Sequence, residues 1–218
     1  MPEEFEKSNN LPEEIHDENT NDEVYEKGFL GKAALFFLEL IKIAILAGIT
    51  IFVIRYFLFK PFYVKGQSME PNFYEHDYLI IDEITYRFRL PERGEVVVLK
   101  SPVSTDYYLK RVIALPGERV KIENGKVIIY NESNPKGLIL DESYLNDMDT
   151  SGSISLTLGD DQYFVLGDNR GASFDSRRFG AISNEAIVGK VWLRGWPLDR
   201  VSSFDLPQYN IDLVEDQV

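Results

Sequence analysis

The stretch Tyr63-Val64-Lys65-Gly66-Gln67-Ser68-Met69-Glu70-Pro71 sets one small hydroxyl, Ser68, between a glycine and a proline. A serine oxygen becomes a nucleophile only when a neighbouring base takes its proton. Histidine is the usual base, and the chain offers only His16 and His76. His76 lies in the polar turn Tyr74-Glu75-His76-Asp77-Tyr78, where a solvated turn residue is the ordinary reading. Lysine is the other option. Its pKa must then fall from about 10.4 toward about 7 to 8, which costs roughly 4 kcal/mol and requires burial away from water and carboxylates. The base should therefore sit on an apolar strand, and Lys110 in Tyr107-Tyr108-Leu109-Lys110-Arg111-Val112-Ile113-Ala114-Leu115 fits best. Strand alternation puts Lys110 on one face with Tyr108 and Val112, and Arg111 on the other with Leu109 and Ile113. One of these cations must face inward or lie at an edge, and alternation does not say which.

Other patterns of this kind fail on context. Gly66-Gln67-Ser68-Met69-Glu70 is half a nucleophile elbow, with Glu70 in place of the second glycine. Ser133-Asn134-Pro135-Lys136 matches Ser-x-x-Lys, but Pro135 and Gly137 make it a turn and no Lys-Thr-Gly follows. Asp160, Asp161, Asp168 and Asp175 lack the spacing of a calcium loop, and Arg170 sits among them. With no cysteine, disulfides, thiolate-bound zinc and cysteine nucleophiles are excluded. The two histidines are too far apart to suggest a transition-metal cluster, so no metal and no cofactor is expected.

The elements that position Ser68 and Lys110 can be read from charge and hydropathy. The net charge is −13, but residues 1–27 carry −8 of it, with ten Asp or Glu against Lys7 and Lys27. This segment is too polar to offset its ordering entropy, so residues 1–32 read as a disordered acidic arm. The acidic balance and the lack of a basic stripe count against nucleic-acid binding. Residues 33–59 are the most apolar stretch, interrupted by Glu39, Lys42 and Arg55, and are long enough for one transmembrane helix across a core of about 30 Å. A cleaved signal peptide is disfavoured by the long acidic segment before it. A helix buried in a soluble core stays the alternative, disfavoured by hydrophobicity all round. Lysines and arginines flank both ends, so charge gives no orientation.

After Pro61 come short segments rich in β-branched and aromatic residues, divided by Gly, Pro, Asn and Asp. Strands are predicted at 78–84, 95–101, 107–115, 119–131, 161–168 and 187–195, with Asn124-Gly125 turning a hairpin inside the fourth. The fold class is mainly β, an antiparallel and partly closed sheet system over residues 60–200. Residues 132–158 read as a surface excursion and 201–218 as a C-terminal tail.

Taken in series behind one apolar segment, Gly66-Gln67-Ser68-Met69-Glu70-Pro71, Tyr108-Leu109-Lys110-Arg111-Val112-Ile113-Ala114-Leu115-Pro116-Gly117-Glu118 and Gly167-Asp168-Asn169-Arg170-Gly171-Ala172-Ser173-Phe174-Asp175-Ser176-Arg177-Arg178-Phe179-Gly180 resemble bacterial type I signal peptidases, membrane-bound Ser-Lys proteases. The likeness runs from about Phe59 to Arg200. It implies Ser68 as nucleophile and Lys110 as general base, with Ser173 orienting the lysine and Asp168, Asp175, Arg177 and Arg111 bracing the loop. It also implies shallow substrate pockets at Phe62, Val64, Met69, Phe73 and Leu109. Some members carry a serine two residues before the nucleophile. Here that position is Gly66, so the oxyanion should be held by backbone N–H groups at Ser68 and near Gly66. Asn72 stands where threonine commonly follows the proline, an exchange of small polar residues expected to be tolerated.

The function so implied is removal of signal peptides from exported secretory precursors, cutting after small residues at Ala-x-Ala sites, from an extracytoplasmic domain held to the lipid bilayer. Two rivals are a self-cleaving Ser-Lys repressor, which calls for an N-terminal helix-turn-helix, and an inactive membrane-anchored adaptor that binds signal sequences, against which the pairing of Ser68 with Lys110 argues.

Overall fold

In the computed structural model the described residues are 19–53, 59–146, 148–207, 209 and 212–213. The chain divides into two compact units at Phe52 and Val53.

The first unit is the helix α1, Asn19–Val53. It begins inside the segment expected to be a disordered arm, and residues 1–18 lie outside the described residues. Gly31–Phe52, 22 residues, is long and apolar enough to cross a membrane, and none of it is buried. That exposure removes the soluble-core alternative. Thr50 Oγ1 donates back to the Leu46 carbonyl at 2.8 Å, which hides its hydroxyl within the span. The expected span to residue 59 is too long at its end, because Phe59 already belongs to a strand.

The second unit is built on strands β1 (Phe59–Tyr63), β2 (Tyr78–Asp82), β3 (Val96–Lys100), β4 (Tyr107–Ala114), β5 (Arg119–Glu123), β6 (Lys126–Tyr130), β7 (Leu138–Ile139), β8 (Ile154–Thr157), β9 (Gln162–Leu166), the short helix α2 (Ser176–Phe179), then β10 (Ile182–Ser183), β11 (Ile187–Trp196), β12 (Ser202–Ser203) and β13 (Asp212–Leu213). An eight-stranded sheet runs β1-β2-β11-β3-β4-β9-β10 with β12 on β11, and a five-stranded sheet runs β13-β7-β6-β5-β8. The pairings are antiparallel. Neither strand order returns on itself, so the sheets are open rather than partly closed.

β3 explains how the larger sheet is buried on both faces. Val96 and Val98 enter a cluster with Val64, Met69, Phe73 and Leu109, while Val97 and Leu99 enter another with Val112, Tyr163 and Val165. A third cluster, Ile113, Val120, Ile122, Val127, Ile129 and Phe164, joins β4 and β9 to the smaller sheet. The Asn124-Gly125 hairpin forms as the sequence predicts, with φ of 52° and 80°, the left-handed pair of a tight two-residue turn.

Residues 132–158 do not form a surface excursion. They contribute β7 and β8 to the smaller sheet, and Leu138, Leu140, Leu145 and Leu158 are buried. The apolar side chains are spaced irregularly among turns, so their inward facing leaves no periodic trace. The expected C-terminal tail also contributes β12 and β13.

Candidate active site

Ser68 stands in a turn after β1. The Glu70 N–H donates to Gln67 O at 3.2 Å, and the Asn72 and Phe73 N–H groups donate to Met69 O at 3.1 and 2.9 Å, winding the chain around the serine. Met69 and Phe73 drop into the core below and hold this turn by apolar burial. Lys110 comes up from β4 on the other side. Its Nζ donates to Ser68 Oγ at 2.8 Å and to its neighbour's carbonyl, Leu109 O, at 2.8 Å. The side chain is nearly enclosed, at 3% exposure. Burial disfavours the ammonium and pulls the pKa down to about 8, against the opposing pull of the Asp175 and Asp168 charges. A Lys110 amine is therefore substantially neutral near pH 8, and a neutral amine hydrogen-bonded to a hydroxyl can accept its proton.

Both strand cations turn out to be inside. Arg111, also buried, makes a two-point ion pair with Asp168, Nε to Oδ1 at 2.8 Å and Nη2 to Oδ2 at 2.6 Å. Its Nη1 donates to Gly94 O at 2.8 Å, and its guanidinium lies 4.2 Å from the Tyr144 ring centre. The two residues take different partners, Lys110 the Ser68 hydroxyl and Arg111 a carboxylate that alternation does not reveal. The pair matters electrostatically, because Asp168 is compensated before it can act fully on Lys110.

The loop after β9 brings the remaining charged groups. Asp175 caps α2 and bonds Arg177, Nε to Oδ1 and Nη2 to Oδ2 both at 2.8 Å. It also accepts the Gly167 N–H at 3.1 Å. Burial raises its pKa, but the bonds from Arg177 and Gly167 outweigh this and hold the carboxyl below the usual range. Gly167 could be no other residue: a Cβ there would lie 2.2 Å from Ser173 Oγ and 2.4 Å from Ser68 O. The loop thereby presses directly against the Ser68 backbone, and the Asn169 N–H donates to Ser68 O at 3.0 Å.

The remaining expected positions divide. Phe62, Val64, Met69 and Leu109 line a cleft of about 540 Å³ that opens beside Ser68 and Lys110, together with Tyr63, Tyr107 and Tyr108. Phe73 does not line it. It is wholly buried under the serine turn and stacked on Phe204 at 4.5 Å, because the residue four after Met69 in this turn points to the core. Ser173 is near, against Gly167, with its buried hydroxyl beside the Asp175 carboxyl, which it helps to hold below the usual range. The two acceptors of Lys110 are Ser68 Oγ and Leu109 O, and the expected bond to Ser173 is not among them. The Gly66 N–H is taken by Glu75 Oε1 at 3.1 Å, since the chain reverses and brings Glu75 back over it. The Ser68 N–H has no partner among the described residues. His76 is exposed and bonds the Tyr63 hydroxyl.

Some residues of the site have roles that the sequence did not reveal. Asn72 donates to Asp168 Oδ2 at 2.8 Å and to Tyr144 O at 3.0 Å. Arg170 bonds Glu142 at 2.8 and 2.5 Å and Gly167 O at 3.1 Å, and also Thr150 Oγ1. Its partners Glu142 and Thr150 come from the segment read as an excursion.

The sequence matches the family described as signal peptidase, peptidase S26, over residues 37–196. It is 39% identical over 170 residues to the probable signal peptidase I-2 of Synechocystis sp., covering 75% of each chain. It is 32% identical to the signal peptidase I of Leptolyngbya laminosa, over 71% of this chain and 77% of that one. It is 33% identical to the signal peptidase I P of Bacillus subtilis subsp. natto, over 75% of this chain and 91% of that one. Motifs, match and relatives agree: the chain belongs to the signal peptidase family, peptidase S26.

Proposed function

We propose that this chain is a membrane-anchored serine endopeptidase that removes signal peptides from exported precursors, with Ser68 as nucleophile and Lys110 as general base. The observation that carries the reading is the 2.8 Å contact between Lys110 Nζ and Ser68 Oγ, made by an amine whose burial lowers its pKa to about 8. Neutral Lys110 takes the hydroxyl proton as Ser68 Oγ bonds to the scissile carbonyl carbon. The ammonium then protonates the leaving amine, the signal peptide stays as an ester on Ser68, and water releases it with Lys110 again as base. The Ser68 N–H, without another partner, donates to the developing oxyanion. Ser173 Oγ, buried against Gly167 and beside Asp175, accepts from the ammonium and keeps it aimed. Asp168, Asp175, Arg111 and Arg177 brace the loop.

The cleft supports the substrate class. β1 ends its sheet's order, and β4 pairs with β9 only from Arg111 onward, so Phe59–Tyr63 and Tyr107–Lys110 each have a strand edge facing away from their sheet neighbours. An extended precursor can add as a strand at such edges. Apolar walls at Val64, Met69 and Leu109 leave shallow room suited to small side chains at Ala-x-Ala sites. The Gly31–Phe52 helix spans the bilayer, with the acidic N-terminal segment cytoplasmic and the β unit extracytoplasmic.

The test is incubation of the detergent-solubilised chain with a precursor bearing an Ala-x-Ala site, reading the new N-terminus by mass spectrometry. Cleavage after the second alanine is expected from the native chain and none from Ser68→Ala or Lys110→Ala. Undiminished cleavage by either variant overturns the dyad.

A further inference from the structure

The segment Ser202–Tyr209 lies beyond the residues that match the family, which end at 196, yet it reaches the supports of both reacting residues. It starts in the larger sheet, with Ser203 opposite Leu193 and Ser202 opposite Arg194. Phe204 then stacks on Phe73 at 4.5 Å between ring centres, and the Arg194 guanidinium lies 5.6 Å from the Phe73 ring and 5.2 Å from the Phe204 ring. The Phe73 N–H closes the serine turn on Met69 O at 2.9 Å, and Met69 is the residue after Ser68. Farther along, a Cβ on Gly94 would meet Pro207 Cδ at 2.7 Å and the Tyr209 hydroxyl at 3.0 Å. The carbonyl of that glycine accepts Arg111 Nη1 at 2.8 Å, and Arg111 is the residue after Lys110. Beyond Tyr209 the chain joins the smaller sheet, Asp212 pairing with Ile139. One short stretch thus bears on the turn that carries Ser68 and on the anchor of the strand residue next to Lys110.

We propose that residues 202–207 together with Tyr209 form a strap that fixes the spacing of Ser68 and Lys110, with Phe204 and Tyr209 as positioning residues. The proposal rests on Ser68 and Lys110 being the reacting pair. Burying Phe204 holds Phe73 down and so sets the height of the serine turn. Seating Pro207 and Tyr209 on Gly94 holds the carbonyl that receives Arg111 and so sets the line of β4. Since a misplacement of about 1 Å at reacting groups can cost about 100-fold in rate, a strap that touches neither group can still govern turnover.

The test compares the full chain with Phe204→Ala, Phe204→Leu, Tyr209→Ala and Tyr209→Phe, measuring kcat, KM, the pH dependence of the rate and the thermal midpoint. Assays run well below every midpoint. Phe204→Ala and Tyr209→Ala are expected to lower kcat about 10-fold with KM within about twofold, and to move the rising limb of the pH profile upward as water reaches Lys110. Phe204→Leu and Tyr209→Phe, which keep the bulk, restore both readouts. A lower midpoint with native kcat and native pH profile in both alanine variants overturns the strap. Should Phe204→Ala not fold, Tyr209→Ala decides by the same criteria. Ser68→Ala and Lys110→Ala run alongside: if they keep activity the dyad fails, and if they are inactive while both strap variants behave as native, only the strap fails.

Discussion

Asn72 Nδ2 donates to Asp168 Oδ2 at 2.8 Å, and the same carboxylate receives Arg111 through Nε at 2.8 Å and Nη2 at 2.6 Å. One buried aspartate therefore links the turn of Ser68 to the strand of Lys110. A hydrogen bond to a charged group is worth about 1.5–3 kcal/mol. Asn72→Ala is expected to lose about that much stability, read by denaturant unfolding, and to lower kcat. Asn72→Thr, able to keep one bond, should lie between the two. An alanine variant with native stability and native kcat contradicts the link.

The pH profile follows from Lys110. Facing it are Ser68 from the turn, Tyr108 on its own strand, with ring centre 5.5 Å from Nζ, and the Asp168 and Asp175 charges of the loop after β9. As the proposed base, Lys110 must be neutral, so the rate should rise with pH through an inflection near the value of about 8 to which burial lowers the amine. Both aspartates favour the ammonium, so Asp175→Asn removes a charge that raises this pKa and should move the inflection to lower pH. A shift to higher pH, or a rate flat up to about pH 10, contradicts the assignment.

Gly167→Ala tests the contact between loop and nucleophile. Its Cβ would fall 2.4 Å from Ser68 O and 2.2 Å from Ser173 Oγ, so the serine or the loop must shift. A shift near 1 Å predicts a fall in kcat of about 100-fold. Single-turnover kinetics on a signal-peptide substrate would show it in the acylation step.

The Arg170–Glu142 pair fastens the loop to the segment before β8. The arginine side chain is 0% exposed and the glutamate 10%, so removing one partner leaves a charge out of water. Glu142→Ala is expected to cost about 3–5 kcal/mol, measured as a lower denaturation midpoint. A change below about 1 kcal/mol would mean that the pair is solvated like an ordinary surface bridge.

What the sequence made legible was what it repeats. Strands β2 to β6, β9 and β11 lay within two residues or so of the stretches expected, since alternating β-branched residues and an Asn-Gly turn leave a local pattern. β1 was hidden because Phe59-Lys60-Pro61-Phe62-Tyr63 continues the apolar run of the helix, and hydropathy does not distinguish lipid from core. β7 and β8 were hidden because strands of two and four residues are too short to show a period. In the site, Ser68 and Lys110 came from chemistry combined with resemblance. Asn72 was noticed only as a tolerated exchange, and Glu142 and Thr150 left no mark, because each acts across a long loop of chain: Asn72 meets Asp168 96 positions away, and Glu142 meets Arg170 28 positions away. Phe73 was misread for a simpler reason, that a turn has no alternation from which to tell a wall from a floor.

The outward edges of β1 and β4 carry a further consequence. A strand edge offers N–H and C=O groups that only an unpaired backbone can satisfy. A polypeptide in a helix, or in its own sheet, has already spent those groups on itself. Such a cleft therefore rejects by conformation before it reads any side chain. On the proposed cleavage at Ala-x-Ala sites, such a sequence inside a folded domain would pass untouched, while the same three residues in a segment that has come unwound would not. On that proposal, selectivity of this kind would need no inhibitor and no lid, and would let a membrane-anchored peptidase leave the helices of its neighbours whole.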